Sequence, residues 1–409
     1  MIAADSVFLF FCTLLVFIMT PGLAFFYGGM VKSKNVLSTT MHSWATMAIV
    51  SITWILIGYS LAFGGSVNGL IGNLDFALLK GVGFEPNPDY SATVPHSLFM
   101  MFQMMFAILT PALISGSYAE RFRFPAFVLF TVLWTLLVYS PIAHWVWGVG
   151  GWIRELGALD FAGGNVVHIS SGVAGLTIAL IIGKRKDYNP TAPHHLPLTV
   201  LGAGLLWFGW FGFNVGSALT LDGIAMNAFI TTNTATAAAA LAWAAAEWII
   251  IKKVTVLGVV SGAVSGLVSI TPGAGFVSPF AAIIIGLLGG FICFFAVFYL
   301  KKWLGYDDAL DAFGCHGIGG TWGGIATGLF ASSSINGNGA DGLFSGGGFT
   351  LLGKQLIAIG VTYAFVGVAT FVIIRIISLF MKVRAEEEEE QVGLDLSHHG
   401  EKAYQEAGF

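Results

Sequence analysis

Charge is what this sequence has least of. Only 10% of its 409 residues are Asp, Glu, Lys or Arg, and 56% are hydrophobic. Ordinary soluble domains carry about 25% charge, so a soluble globular fold is excluded and a polytopic membrane protein is expected. The net charge of −4 says little by itself, and no nucleic-acid partner is expected. Cysteine is equally scarce. Cys12, Cys293 and Cys315 all lie in apolar segments, which excludes a disulfide framework and a CxxC metal pattern. No metal, no cofactor and no enzymatic activity are expected.

What is abundant is long apolar runs and glycine, of which there are 54. A bilayer core takes roughly 20 apolar residues per helix. Eleven segments qualify: 5–31, 40–64, 95–117, 123–147, 164–183, 197–217, 224–250, 254–271, 276–300, 313–331 and 350–381. The first lacks a basic leader and runs on through Pro21 to Val31, so it reads as a retained helix and not a signal peptide. With eleven spans the loops alternate sides. Fourteen of the 18 basic residues fall on one set of loops and the tail. The other set holds Lys80, Arg154 and Lys354, and Arg375 lies within the last span. Basic residues mark the cytoplasmic side, so the N-terminus is expected outside and the C-terminus inside.

Five spans (5–183) followed by five more (197–331) make the second half insert upside down relative to the first. A final helix at 350–381 and a tail at 385–409 complete a 1–384 membrane domain with an appendage. Inverted repeats place transported species near the midplane between the halves. One spacing recurs across them. Asp160 and His168 are eight residues apart, and so are Asp308 and His316, 148 residues later. Each histidine opens a glycine-rich apolar run. An ionisable residue inside a membrane segment is costly and points to function, so His168 and His316 are read as one site built from both halves. Asp160, Asp308 and Asp311 precede apolar runs and also read as helix caps.

Other residues are ambiguous one at a time. Phe102 and Phe106, four apart on a helix face, suit either packing or a cation–π wall. The tryptophans of Ala143–Gly148 suit an interfacial belt. The stretch Trp207–Ser217 alternates aromatics with glycine, a close-packing signature, and Ser217 ends its span at the level of Trp147. His194 and His195, in the polar linker Asp187–Pro197, lack further ligands and read as solvated. The tail holds five glutamates, then Gly393-Leu394-Asp395, then His399-Gly400-Glu401.

Taken together these stretches resemble the ammonium transporter family (the Amt/Mep/Rh superfamily), in its prokaryotic Amt branch. The matching segments are Pro21-Gly22 with Phe25–Val31, Phe102–Phe106, Ala119–Arg121, Pro141–Trp147, Gly157–Gly164, Gly209–Ser217, Asp311–Gly317 and Gly393–Tyr404. The external loop 65–94 is the least family-like part. The resemblance implies an all-α homotrimer in the plasma membrane, with one pore per subunit and ammonium as substrate. It implies an outer recruitment site of Phe106, Trp147 and Ser217, and a gate of Phe102, Phe106 and Phe213 as stacked rings. His168 and His316 would be the pore pair, with Asp160 as structural support. Gly393, Asp395, His399, Gly400 and Glu401 would belong to a regulatory tail. Membrane lipid and a cytoplasmic PII-type nitrogen regulatory protein are the implied partners.

The chemistry agrees with that assignment. Potassium shares the charge and nearly the size of ammonium, but four N–H donors gain from directed acceptors and a spherical ion does not. Aromatic faces attract the cation. Moving it bare through an apolar pore is expensive, and splitting it into ammonia and a proton that a histidine pair relays avoids the cost. Three other classes remain in view: a haem protein with His168 and His316 as axial ligands, which a colourless preparation removes; an ammonium sensor; and a passive ammonia gas channel.

Overall fold

The computed structural model describes residues 1–186 and 193–404. The expected positions 187–192 of the linker and 405–409 of the tail lie outside the described residues. The helices follow in order as α1 (Ala3–Met30), α2 (Ser33–Phe63), α3 (His96–Tyr118), α4 (Phe124–Leu156), α5 (Gly164–Ile182), α6 (Leu196–Gly216), α7 (Gly223–Ile251), α8 (Val256–Ile270), α9 (Pro279–Leu304), α10 (313–330) and α11 (Thr350–Phe380). Among the described residues nine of these are long and apolar enough to cross a membrane. The other two, α8 and α10, occupy the remaining expected positions. α8 has 15 residues, and α10 is diluted by glycine. Two small tail helices follow, α12 (Glu387–Val392) and α13 (Leu394–His399). A short antiparallel pair, β1 (Ser66–Val67) with β2 (Ile71–Gly72), folds the external loop.

One expected boundary moves, and one helix gains a turn beyond the end expected at Trp147. α2 begins at Ser33 and not at 40, because its first turns receive a cap from far away: the Ser38 amide donates to Asp395 Oδ1 at 2.7 Å. α4 breaks at Gly148–Gly151 and resumes as Trp152–Leu156.

Glycine sets the spacing between the halves. Gly202, Gly209 and Gly212 of α6 lie where a Cβ would run into Phe26, Met19 and Cys12 of α1. The first helices of the two fives therefore cross at backbone distance, as small residues allow in membranes. Gly286 and Gly290 of α9 meet the α7 backbone at Ala235 and Ala239 in the same way. Of the five π-helical turns among the described residues, Trp54–Gly58 in α2 has no counterpart in α7, and the other four pair between the two fives. They occupy Thr135–Tyr139 in α4 and Ala296–Leu300 in α9, then Gly164–Ile169 in α5 and Phe313–Gly317 in α10. Turns of this kind concentrate at functional sites, and the last two carry the paired histidines.

Candidate functional site

His168 and His316 enter the centre of the molecule from α5 and α10. Their Nδ1 atoms are 3.3 Å apart and their rings lie at 26° to each other. Both side chains are buried, and His168 Nε2 has no hydrogen-bond partner among the described residues. The helices approach closely because a Cβ at Gly172 would collide with the backbone of His316 and Gly317.

Trp210 lies against His168, ring centroids 5.3 Å apart at 21°. Its indole N–H donates to Thr271 Oγ1 at 2.9 Å, and that hydroxyl lies 3.3 Å from Asn214 Oδ1. Asn214 Nδ2 donates in turn to Thr232 Oγ1. Sequence reading did not single out this chain. The signal was present, since Trp210, Phe213, Asn214 and Ser217 share one face of α6 at helical spacing.

Above the histidines Phe106 and Phe213 meet with centroids 4.3 Å apart. Phe213 also faces His168 at 5.9 Å. Phe102 meets Phe106 edge-on, at 5.0 Å and 70°. The expectation of stacked rings for that pair is corrected: Gly216 seats the Phe102 ring directly on the α6 backbone, and this turns it edgewise. Outside the rings lies a cavity of about 280 Å³ lined by Phe106, Trp147, Ser217, Asp160, Gln103 and Asp89, among others. Trp147 presents its ring to Phe106 at 5.8 Å and 84°. The Ser217 hydroxyl donates to Phe213 O at 2.9 Å, so its lone pairs remain for an incoming donor. Below the histidines a second cavity of about 40 Å³ is lined by His316, Cys315, Asp311, Tyr27 and neighbours. The rings and the imidazoles separate the two.

Asp160 holds the turn into α5. Its Oδ1 accepts from the Gly163 and Gly164 amides at 2.8 and 2.6 Å, and its Oδ2 from Asn165 at 2.7 Å. Gly163 has φ +115°, where a Cβ is strained. The Asp160 carbonyl accepts the Trp147 indole N–H at 3.0 Å. The loop is tied further by Gln355, bonded to both polar backbone atoms of Leu159, and by the Phe161 amide on Pro272 O. Asp308 caps α10 through the Ala312 and Phe313 amides at 3.2 and 2.7 Å. Asp311 does not cap: its carboxylate pairs with Lys301 at 2.7 Å, because a φ of +60° swings it out of the helix start.

At the far end, Arg185 bridges Glu120 at 2.6 Å and Asp307 at 2.8 Å. Burial pushes both carboxyl groups upward, but the guanidinium and donated hydrogen bonds outweigh it and hold them below the usual range. The tail docks on this face. Asp395 caps α2, the Leu394 amide donates to Asn35 Oδ1 at 2.8 Å, and Arg384 binds Glu390 at 2.7 Å. Gly393, at φ +106°, lies against Lys34, where a Cβ would be 2.6 Å from the carbonyl oxygen. His399 faces Phe124 at 5.0 Å, Gly400 ends α13 at φ +69°, and the Glu401 amide donates to Asp395 O. The tail has too little apolar surface to fold alone, and it is helical at Glu387–Val392 and Leu394–His399 where the loops supply the partners it lacks. His194 bonds Val31 O and Tyr404, and His195 caps α6.

The sequence matches the model of the Ammonium Transporter Family over residues 7–404. It is 68% identical to an ammonium transporter of Bacillus subtilis over 98% of this chain and 99% of that protein. Its fold is similar to the crystal structure of Saccharomyces cerevisiae Mep2, with a TM-score of 0.90, 36% identity, and 99% and 92% of the two chains covered. A structure titled Sensor Amt Protein matches with a TM-score of 0.88 at 29% identity over 96% and 98% of the chains. The chain is thus a multi-pass membrane protein that belongs to the Ammonium Transporter Family.

Proposed function

We propose that this chain carries ammonium into the cytoplasm by recruiting the cation outside, conducting it as ammonia through the pore, and passing its proton separately. The observation that carries this reading is the position of the His168–His316 pair. It lies between an outer and an inner cavity, directly beneath the Phe106–Phe213 rings.

In the outer cavity Phe106 and Trp147 offer ring faces to a cation, and Ser217 offers a hydroxyl lone pair. Phe102, Phe106 and Phe213 act as the gate. Their rings leave no polar partner for a hydrated ion, so the bare charge is excluded and neutral ammonia passes. In the neutral histidine pair one Nδ1–H donates to the other Nδ1. One ring then keeps an Nε2 acceptor, and the other keeps an Nε2–H donor. Such a pair bonds ammonia at either end and relays a proton by exchanging tautomers. Asp160 supports the outer site from beneath.

The same proposal takes eleven spans as an inverted 5+5 repeat plus a final helix, with the N-terminus outside, the C-terminus cytoplasmic, and three subunits per assembly. Fourteen basic residues on one side and the paired π-helical turns support it. Residues 385–409 form a regulatory tail beside a PII-type partner. If charge crosses, 100 mV contributes roughly 2.3 kcal/mol, which concentrates substrate about fiftyfold.

An ammonium pulse on reconstituted protein, read as current, tests this. An inward current is expected. Ammonium-dependent alkalinisation without current would leave a gas channel. The likeness to the structure titled Sensor Amt Protein supports a second reading as a sensor, which predicts saturable binding with neither current nor alkalinisation.

A further inference from the structure

Arg375 lies on the outward face of α11, five residues before the helix ends at Phe380. The same face exposes Val368, Phe371, Val372, Ile376 and Leu379, the last at 80%. Among the described residues no carboxylate stands within ion-pair distance of it. The Phe371 ring lies 5.0 Å from its guanidinium carbon. The transport reading gives this residue no task, and it is the only basic residue assigned to neither side of the membrane.

A guanidinium on an apolar, lipid-facing stripe is costly unless it reaches the interface or finds an anion. The end of α11 is about 8 Å away along the helix axis, and an arginine spans such a gap by laying its stem along the apolar surface. At that level the available anion is a phosphodiester, whose oxygens fit the planar fork of donors. Lys382, just past the helix end, is already paired with Glu386, so Arg375 is the positive charge that this stretch offers to an anion.

We propose that Arg375 binds the headgroup phosphate of an anionic phospholipid whose acyl chains lie along Val368, Val372 and Leu379. The favoured lipid carries a net negative charge and no cation of its own. A zwitterionic choline headgroup brings an ammonium that competes with the guanidinium for its phosphate.

Native mass spectrometry of the full-length protein, offered equal amounts of phosphatidylglycerol and phosphatidylcholine of one chain length, tests this. The wild type is expected to retain one phosphatidylglycerol per subunit with about fivefold preference, the factor expected for one basic side chain near an anionic surface. Arg375→Gln and Arg375→Leu should each lose that one lipid per subunit, while Arg375→Lys keeps part of the preference. Leucine suits the apolar face, so the second variant separates lipid loss from misfolding. Unchanged retention in both variants would overturn the proposal. So would variants that shed subunits but keep the preference, since the face would then be a contact between copies of the chain.

Discussion

Asp160 and Asp308 do the same work 148 residues apart. Each carboxylate accepts backbone N–H groups at the start of the helix that carries a central histidine eight residues on. Each therefore fixes where an imidazole enters the centre of the molecule, where the two rings meet.

The two caps differ in what they also hold, and this gives a first prediction. Asp160 satisfies three amides, and its own carbonyl anchors Trp147. Removing the side chain leaves buried donors unpaired at about 1–3 kcal/mol each. Asp160→Ala should lower both the melting temperature in detergent and transport. Asp160→Asn, which keeps one acceptor oxygen, should recover much of the folding yield. Normal transport in Asp160→Ala would leave the carboxylate without a role in the site.

The histidine pair gives a second. Replacing it by His168→Asp with His316→Asn puts hydratable groups between the two cavities, so a continuous wet path replaces an apolar one. Potassium current should appear in proteoliposomes, since lowering a barrier by about 1.4 kcal/mol already gives roughly tenfold more flux. If the double variant passes no more potassium than the wild type, selectivity resides wholly at Phe106, Trp147 and Ser217.

Much of this site was legible before the structure. The helices followed from apolar length, nine of them long and apolar enough to cross a membrane among the described residues, and the recurrence of Asp160–His168 in Asp308–His316 pointed to one shared site. What composition and spacing do not carry is contact between distant elements. Asp395 caps α2 across 357 positions, so the true start of α2 was hidden. Trp210 reads locally as one aromatic among many, and its orientation comes from Thr271 on another helix. Nor does any local propensity mark the π-helical turns at His168 and His316. They arise where packing against neighbours overrides the regular ladder. Asp311 read as a cap because position alone was weighed, without the pull of Lys301.

A third prediction concerns pH at the docked tail. Burial lowers His398 below the usual histidine range, although Glu389 at 3.7 Å opposes it. Burial lowers His399 likewise, with Asp395 and Glu401 opposing. Both rings are thus favoured neutral when docked. The free tail takes up protons first as pH falls through about 6.5, so docking is fully present above that value and weakens below it. Burial raises the Asp395 carboxyl, which favours docking at more acid pH, and Glu389 is held low. Between pH 7.5 and 5.5 the histidines therefore set the sign. Hydrogen exchange of residues 385–404 should speed up across that interval, and His398→Gln with His399→Gln should flatten the change. Exchange that slows on acidification would reverse the assignment.

The last prediction asks whether docking matters for transport. Gly393 is the pivot, since its φ of +106° suits glycine and a Cβ there would press on the Lys34 carbonyl. Gly393→Ala should therefore release α13 from α2 without touching the pore. The Asp395 cap on Ser38, the Leu394 amide on Asn35 and the Lys34–Gln391 bond would open together. Truncation after Arg384 removes the same contacts outright. If the tail holds the inner loops in a conducting arrangement, both variants should assemble normally, carry less ammonium current and show altered inhibition by a PII-type partner. The point variant is the sharper test, because it keeps every charge of the tail and changes only its seat. A truncated protein with wild-type current and wild-type inhibition would reduce residues 385–409 to a solubilising end. If only the point variant were impaired, the undocked tail itself would be the inhibitor, and the docked tail would serve to keep it out of the way.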